Sequence, residues 1–66
     1  MELSVRETQI IMQIANGFSD KEISTRLNIS TRTIQTHVVR ICLKLNARNR
    51  THAVTKVFLK NLIANY

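Results

Sequence analysis

Apolar residues recur at helical spacing in four segments of this chain. The clearest case is Ile34, Val38, Ile41 and Leu45, which follow the i, i+4, i+7, i+11 spacing of a narrow apolar stripe on one side of a helix. No segment alternates between apolar and polar residues as a half-buried strand would. The pattern therefore predicts an all-α fold of four helices, at about residues 5–16, 20–27, 31–45 and 50–61.

The ends of the first two helices are marked by capping residues. Ser4 precedes Glu7 by three positions, and Ser19 precedes Glu22 by the same distance. A serine and a glutamate at this spacing form a capping box, in which each side chain accepts a hydrogen bond from a backbone N–H of the other residue. Gly17, the only glycine, suits the left-handed conformation that often follows the last residue of a helix.

The third helix follows the second after a very short connection. Asn28 and Ile29 leave room only for a tight turn before Ser30, which is a favourable N-cap residue. Asn46 is expected to end the third helix and Asn49 to cap the fourth. The sequence thus predicts a helix, a tight turn and a second helix in the middle of the chain.

The apolar sides of the other helices complete the predicted core. Cys42, beside the stripe of the third helix, is expected to pack in the core as a small apolar residue. The other expected core residues are Ile10, Ile11, Ile14 and Ala15 in the first helix, Ile23 and Leu27 in the second, and Ala53, Val54, Val57, Phe58 and Leu62 in the fourth.

Length, charge and cysteine content narrow the possible functions. With 66 residues the chain is expected to form one domain, residues 1–66, and its net charge is +6. All four acidic residues precede residue 23, whereas eight of the ten basic residues follow it. This asymmetry favours binding of a polyanion, and nucleic acid, an anionic membrane or an acidic protein would each satisfy it. No segment has the length of a membrane span, and one cysteine allows no intrachain disulfide, which together predict a cytoplasmic protein.

The outward side of the third helix carries the chemistry expected of a DNA-reading surface. Burial of the apolar stripe turns the other side outward, and that side has no acidic residue. Arginine can pair with guanine, glutamine with adenine, and apolar atoms of threonine or valine with the thymine methyl group. An ordinary solvated surface with a chance excess of basic residues is the simpler alternative. The outward residues are Arg32, Gln35, Thr36, Val39, Arg40 and Leu43.

Catalytic and cofactor chemistry is not indicated. His37 and Cys42 lie on different sides of the third helix, and the sequence offers no third ligand to complete a metal site with them. A glycine-rich phosphate-binding loop is also missing from the sequence. We therefore expect neither an enzyme nor a bound metal or cofactor.

The motifs in order resemble one known family. The segment LSVRE, followed by GFSDKEISTRLNISTRTIQTHVVRICLKLNARNRTHAV, resembles the LuxR/GerE-type helix-turn-helix domain of bacterial response regulators and quorum-sensing regulators, over residues 3–63. The resemblance implies a four-helix helix-turn-helix domain without a wing. In it, the third helix enters the major groove and the fourth supports a homodimer.

The resemblance also implies functional residues. It assigns base reading to Gln35, Thr36 and Val39, to which the outward face adds Arg32 and Arg40. The dimer surface would include Thr51, Thr55, Lys56 and Leu59, a rather polar set from which weak dimerisation is expected. The expected phosphate contacts are Lys21, Ser30, Thr33, His37, Lys44, Arg48 and Arg50.

Three positions depart from the family pattern on the outward face. Gln35 and Leu43 stand where a basic residue is common, and Val39 stands where a polar one is frequent. The base preference of other family members therefore does not transfer to this chain.

The main hypothesis is a cytoplasmic, nucleoid-associated bacterial transcription regulator, or its excised output domain, that binds double-stranded DNA as a dimer. The alternative is a helical interaction module that docks on a sensor domain or on RNA polymerase through Val39 and Leu43. The operator, the sign of regulation, the controlling signal and the presence of a regulatory domain are left open by the sequence.

Overall fold

The chain folds into four α-helices. The computed structural model describes residues 3–64, and the surroundings of side chains for residues 3–60. The helices are α1 (Val5–Ala15), α2 (Asp20–Leu27), α3 (Thr31–Leu45) and α4 (Arg50–Ala64), and no strand occurs in residues 3–64. The predicted all-α fold is confirmed, with α4 ending at Ala64 instead of residue 61. None of these four helices is long and apolar enough to cross a membrane.

Both predicted capping boxes are present. At the start of α1, the Ser4 hydroxyl accepts from the Glu7 backbone N–H at 3.1 Å, and the Glu7 carboxylate accepts from the Ser4 N–H at 2.8 Å. Ser19 and Glu22 repeat the arrangement at the start of α2, at 3.2 and 2.9 Å. These contacts satisfy backbone donors that the first turn of a helix leaves without intrahelical partners.

Left-handed residues end the first three helical segments and allow the sharp turns between them. Asn28 follows α2 with φ 56° and Asn46 follows α3 with φ 54°, a conformation that asparagine tolerates better than most residues. Gly17 has φ 89° after α1, as predicted. Ser30 caps α3 through a 3.1 Å hydrogen bond from the Thr33 N–H, so only three residues separate α2 from α3.

The core lies around α3, which contacts each of the other helices. Its residues Ile34, Val38 and Ile41 are buried, as the apolar stripe predicted, and Leu45 and Cys42 pack against them while partly exposed. The buried partners from the other helices are Ile10, Ile11, Ile23 and Ala53, with Ile14, Leu27, Val54 and Val57 at the edge of the core.

The prediction that Phe58 belongs to the core is wrong. Its side chain is 55% exposed, whereas Ala53 is fully buried. Five residues advance an α-helix by about 140° of rotation, so a helix that buries Ala53 turns Phe58 toward its outer side. Leu62, expected on the same buried face, lies outside the residues whose side chains are described.

Candidate nucleic-acid interface

The five residues predicted to contact bases lie together on the outside of α3. Burial of Ile34, Val38 and Ile41 fixes the rotation of the helix, and no acidic residue occurs in Thr31–Leu45. The resulting surface offers guanidinium, amide, hydroxyl and methyl groups to a partner. Its exposed residues are Arg32, Gln35, Thr36, Val39 and Arg40.

Two hydroxyl groups stand at the start of this surface. Ser30 and Thr33 are exposed, and their hydroxyl oxygens lie 2.8 Å apart in a mutual hydrogen bond. The Ser30 oxygen is also occupied in capping α3. The first turn of α3 adds N–H groups and the positive end of the helix dipole, a combination suited to an anion such as phosphate.

Lys44 pairs with a buried acid of α1. Its Nζ donates to Oε1 of Glu7 at 2.7 Å, and the same oxygen accepts the Ser4 N–H of the capping box. Glu7 is 3% exposed. The hydrogen bond from Lys44 lowers the pKa of Glu7 most, that from the Ser4 backbone adds to it, and both outweigh the opposite effect of burial. The pair fastens the end of α3 to the start of α1.

Arg50 makes a second long-range ion pair. Its Nη1 and Nη2 donate to Oδ1 and Oδ2 of Asp20 at 2.5 and 3.2 Å, the two-point geometry that suits guanidinium and carboxylate. The hydrogen bond from Arg50 is the main reason that the pKa of Asp20 is lowered, and Gln35 of α3 makes a smaller contribution. The pair joins the first residue of α2 to the first residue of α4, close to a predicted base-contacting side chain.

These contacts divide the predicted phosphate-binding cations into two kinds. Lys44 and Arg50 are each partly neutralised by a carboxylate. Lys21 and Arg48 are exposed, and within residues 3–60 neither has a carboxylate within 4.0 Å. Glu22, the remaining acid in this range, accepts from Ser19 in its capping box. The acidic residues among residues 3–60 therefore make contacts that stabilise the fold.

His37 occupies an intermediate position at the edge of the outward surface. It is half-buried, and its Nδ1 atom is buried without a hydrogen-bond partner in the described part of the chain. A phosphate contact from this residue would therefore be made by Nε2.

The four predicted dimer residues on α4 differ in their surroundings. Thr51, Thr55 and Leu59 are exposed, but Lys56 is half-buried and turned toward α3. Its Nζ donates to the backbone oxygens of Leu45 and Asn46 at 2.9 and 3.0 Å. The ammonium thus caps the negative end of the α3 dipole.

The start of α4 contains a contact that the sequence did not predict. Asn49 caps the helix as expected, because its Oδ1 accepts from the His52 N–H at 2.8 Å. In return, Nδ1 of His52 accepts from the Arg48 N–H at 3.0 Å. The spacing of Asn49 and His52 is that of a capping box, but the His52 side chain accepts from the N–H of the residue before the cap, which the capping-box pattern does not predict.

Metal-binding geometry is missing from the described residues. Across residues 3–60, no group of three or more His, Cys, Asp or Glu side chains is placed to hold a metal ion. Cys42 is partly buried against the core, in agreement with the packing role predicted for it.

Comparison with known proteins supports a regulatory role. The model of the family described as Bacterial regulatory proteins, luxR family, matches residues 1–57. The response regulator protein VraR of Staphylococcus aureus is 43% identical over 61 residues, which are 92% of this chain and 29% of VraR. VraR of Staphylococcus epidermidis gives the same identity over the same length.

A solved structure shows the same fold. The crystal structure of the response regulator ChrA, from a heme-sensing two-component system, matches with a TM-score of 0.86 and 37% identity. The match covers 94% of this chain and 31% of ChrA. The chain therefore spans less than a third of the length of these relatives.

The Glu7–Lys44 pair predicts a specific acid sensitivity. Because the folded-state pKa of Glu7 lies below the ordinary value of 4.5, the pair stabilises the fold above that pH and stops doing so as the pH falls through the folded-state pKa. Urea unfolding of the unaltered chain should therefore give a free energy of unfolding that decreases from about pH 5 to about pH 3.

Two matched variants distinguish the contribution of the Glu7–Lys44 ion pair to the acid dependence from that of the capping box. Glu7→Gln preserves the capping box, since glutamine also serves there, but it removes the titrating group and should flatten the acid dependence. Glu22→Gln makes the same change in a capping box without a lysine partner and should flatten it much less. Equal flattening in both variants would show that the ion pair does not contribute.

Proposed function

Because the chain belongs to the luxR family of bacterial regulatory proteins, we propose that it regulates transcription by binding double-stranded DNA with α3 in the major groove. The acid-free exposed face of α3 is the observation that carries this proposal. The match to this family identifies the chain as the DNA-binding output domain of a regulator and not an enzyme.

Base recognition is assigned to the outward face of α3. Gln35 can accept from and donate to adenine, and Arg32 or Arg40 can donate twice to guanine. Thr36 and Val39 complete this set. The turn between α2 and α3 is short enough to hold α2 beside the DNA backbone while α3 enters the groove, as in other helix-turn-helix proteins.

Phosphate binding is assigned to the cations and hydroxyl groups around this face. Lys21 and Arg48 contribute most to the attraction, because each is exposed with its charge uncompensated among residues 3–60. Lys44 and Arg50 keep N–H groups for phosphate but act chiefly in holding α3 and α4 in place. Ser30, Thr33 and the Nε2 atom of His37 supply further contacts.

Dimerisation is assigned to the outer side of α4. Thr51, Thr55 and Leu59 are exposed there, and the exposed Phe58 lies on the same side of the helix. The Lys56 ammonium is occupied at the end of α3, so only its methylene groups are available to a partner. An uncharged, partly apolar surface of this kind on α4 can pair with the same surface of a second copy about a twofold axis.

The length of the relatives suggests how the domain is controlled. The chain corresponds to 29% of VraR and 31% of ChrA, both response regulators. We propose that a regulatory domain, of which this chain carries no part, governs DNA binding by this domain.

Substitution of Gln35 tests direct base reading. Gln35→Ala should weaken binding to a selected cognate duplex by about 1–3 kcal/mol and leave binding to random duplex nearly unchanged, because only the cognate site uses the amide. Fluorescence anisotropy titrations with both duplexes measure this difference. Gln9→Ala, at an exposed position of α1, is the matched control and should change neither affinity. Equal losses on cognate and random DNA would argue against base reading by Gln35.

Substitution of Leu59 tests whether the chain dimerises through the outer side of α4. Leu59→Glu places a charge on the outer side of α4, so it should reduce the affinity for a duplex with two half-sites to that for a single half-site. The half-sites are expected about 10 bp apart, centre to centre. Met12→Glu introduces the same charge at an exposed apolar position of α1 and should preserve the difference between the two duplexes. A Leu59→Glu protein that still prefers the paired half-sites would contradict dimerisation through this face.

A further inference from the structure

The middle of the outward face of α3 is apolar. Thr36, Val39 and Leu43 follow one another at spacings of three and four residues, so they lie along one line on the helix. Val39 is 60% exposed and Leu43 is 76% exposed. We call these three side chains the apolar strip.

The hydroxyl group of Thr36 is used inside the helix. Its Oγ1 donates to the backbone oxygen of Arg32 at 3.1 Å. With its only hydroxyl proton committed, the side chain offers a partner its methyl group and an accepting lone pair. Thr36 therefore extends the apolar character of Val39 and Leu43 toward the start of α3.

Charged and polar side chains surround the apolar strip. Arg32 and Arg40 stand beside it with Gln35, and α3 contains no acid. A partner complementary to this surface must carry small apolar groups that contact the strip and negative charges on both sides of them. The major groove of DNA meets both demands, because phosphates line its edges and the C5-methyl group of thymine projects into it.

We propose that the apolar strip reads thymine methyl groups, so that the half-site of this chain carries thymines opposite Val39 and Leu43. The inference rests on the proposed function, in that α3 must enter the major groove. It goes further by adding Leu43 to the residues that contact bases and by assigning thymine to both Val39 and Leu43. Cytosine and uracil lack the C5-methyl group, so they leave the strip without a contact.

Removal of single methyl groups from the DNA tests this inference. A tight-binding duplex is first selected from a random pool, and each thymine in it is then replaced singly by deoxyuridine, which keeps base pairing but lacks the methyl group. Loss of one buried methyl contact, ~0.8 kcal/mol, should weaken binding about fourfold. We expect such a loss at a few thymines in each half-site and nearly unchanged affinity at the others.

Variants of the chain connect each methyl group to a side chain. Val39→Ala should abolish the sensitivity to deoxyuridine at one thymine and Leu43→Ala at another, with each variant keeping the sensitivity that the other loses. Both positions are exposed, so thermal unfolding should show that the fold is intact. Val5→Ala, at a position of α1 that is 79% exposed, is the matched control and should keep the full pattern.

These experiments distinguish failure of the thymine inference from failure of the proposed DNA-binding function. If the selected duplex binds tightly but no deoxyuridine replacement weakens it, the thymine reading is wrong while the proposed function stands. If the sensitivity persists unchanged in both alanine variants, other side chains read the methyl groups and the inference is again overturned. If no duplex from the pool binds, the proposed function itself fails.

Discussion

The burial of Ile34, Val38 and Ile41 fixes the rotation of α3 about its own axis, and the rest of the structure depends on it. These side chains pack against isoleucines from α1 and α2 and against Ala53 of α4. A helix whose apolar stripe is this narrow has only one side that it can bury. Every polar side chain on the opposite side is therefore held outward, and the reading surface is a consequence of core packing.

Two acidic residues in the described part of the chain stabilise this arrangement at the junctions between helices. Glu7 holds Lys44 and Asp20 holds Arg50, so two carboxylates join α1 to α3 and α2 to α4. Their negative charge is paired with cations at these junctions, and α3 itself carries no acidic residue. Lys21 and Arg48, by contrast, are exposed and have no carboxylate within 4.0 Å among residues 3–60, so their charge is uncompensated there.

The sequence predicted what short-range spacing determines. The capping boxes, the left-handed Gly17 and the stripe of α3 each depend on residues less than a few turns apart, and all appear in the structure. The pairing of Lys44 with Glu7 spans 37 positions, and no local pattern marks one lysine as the partner. The contacts of Lys56 and the exposure of Phe58 likewise depend on how α4 lies against α3, which helical periodicity alone does not determine.

Salt-dependent binding of random duplex DNA tests the central claim most directly. If the outward side of α3 enters the major groove and the cations around it contact the phosphates, the logarithm of the association constant should fall linearly with the logarithm of salt concentration, with a slope of about −0.9 for each phosphate neutralised. Arg48→Ala should remove about one phosphate contact and thus reduce the magnitude of that slope by about 0.9. Random duplex that fails to bind at low salt, or binds with no dependence on salt, would contradict the account.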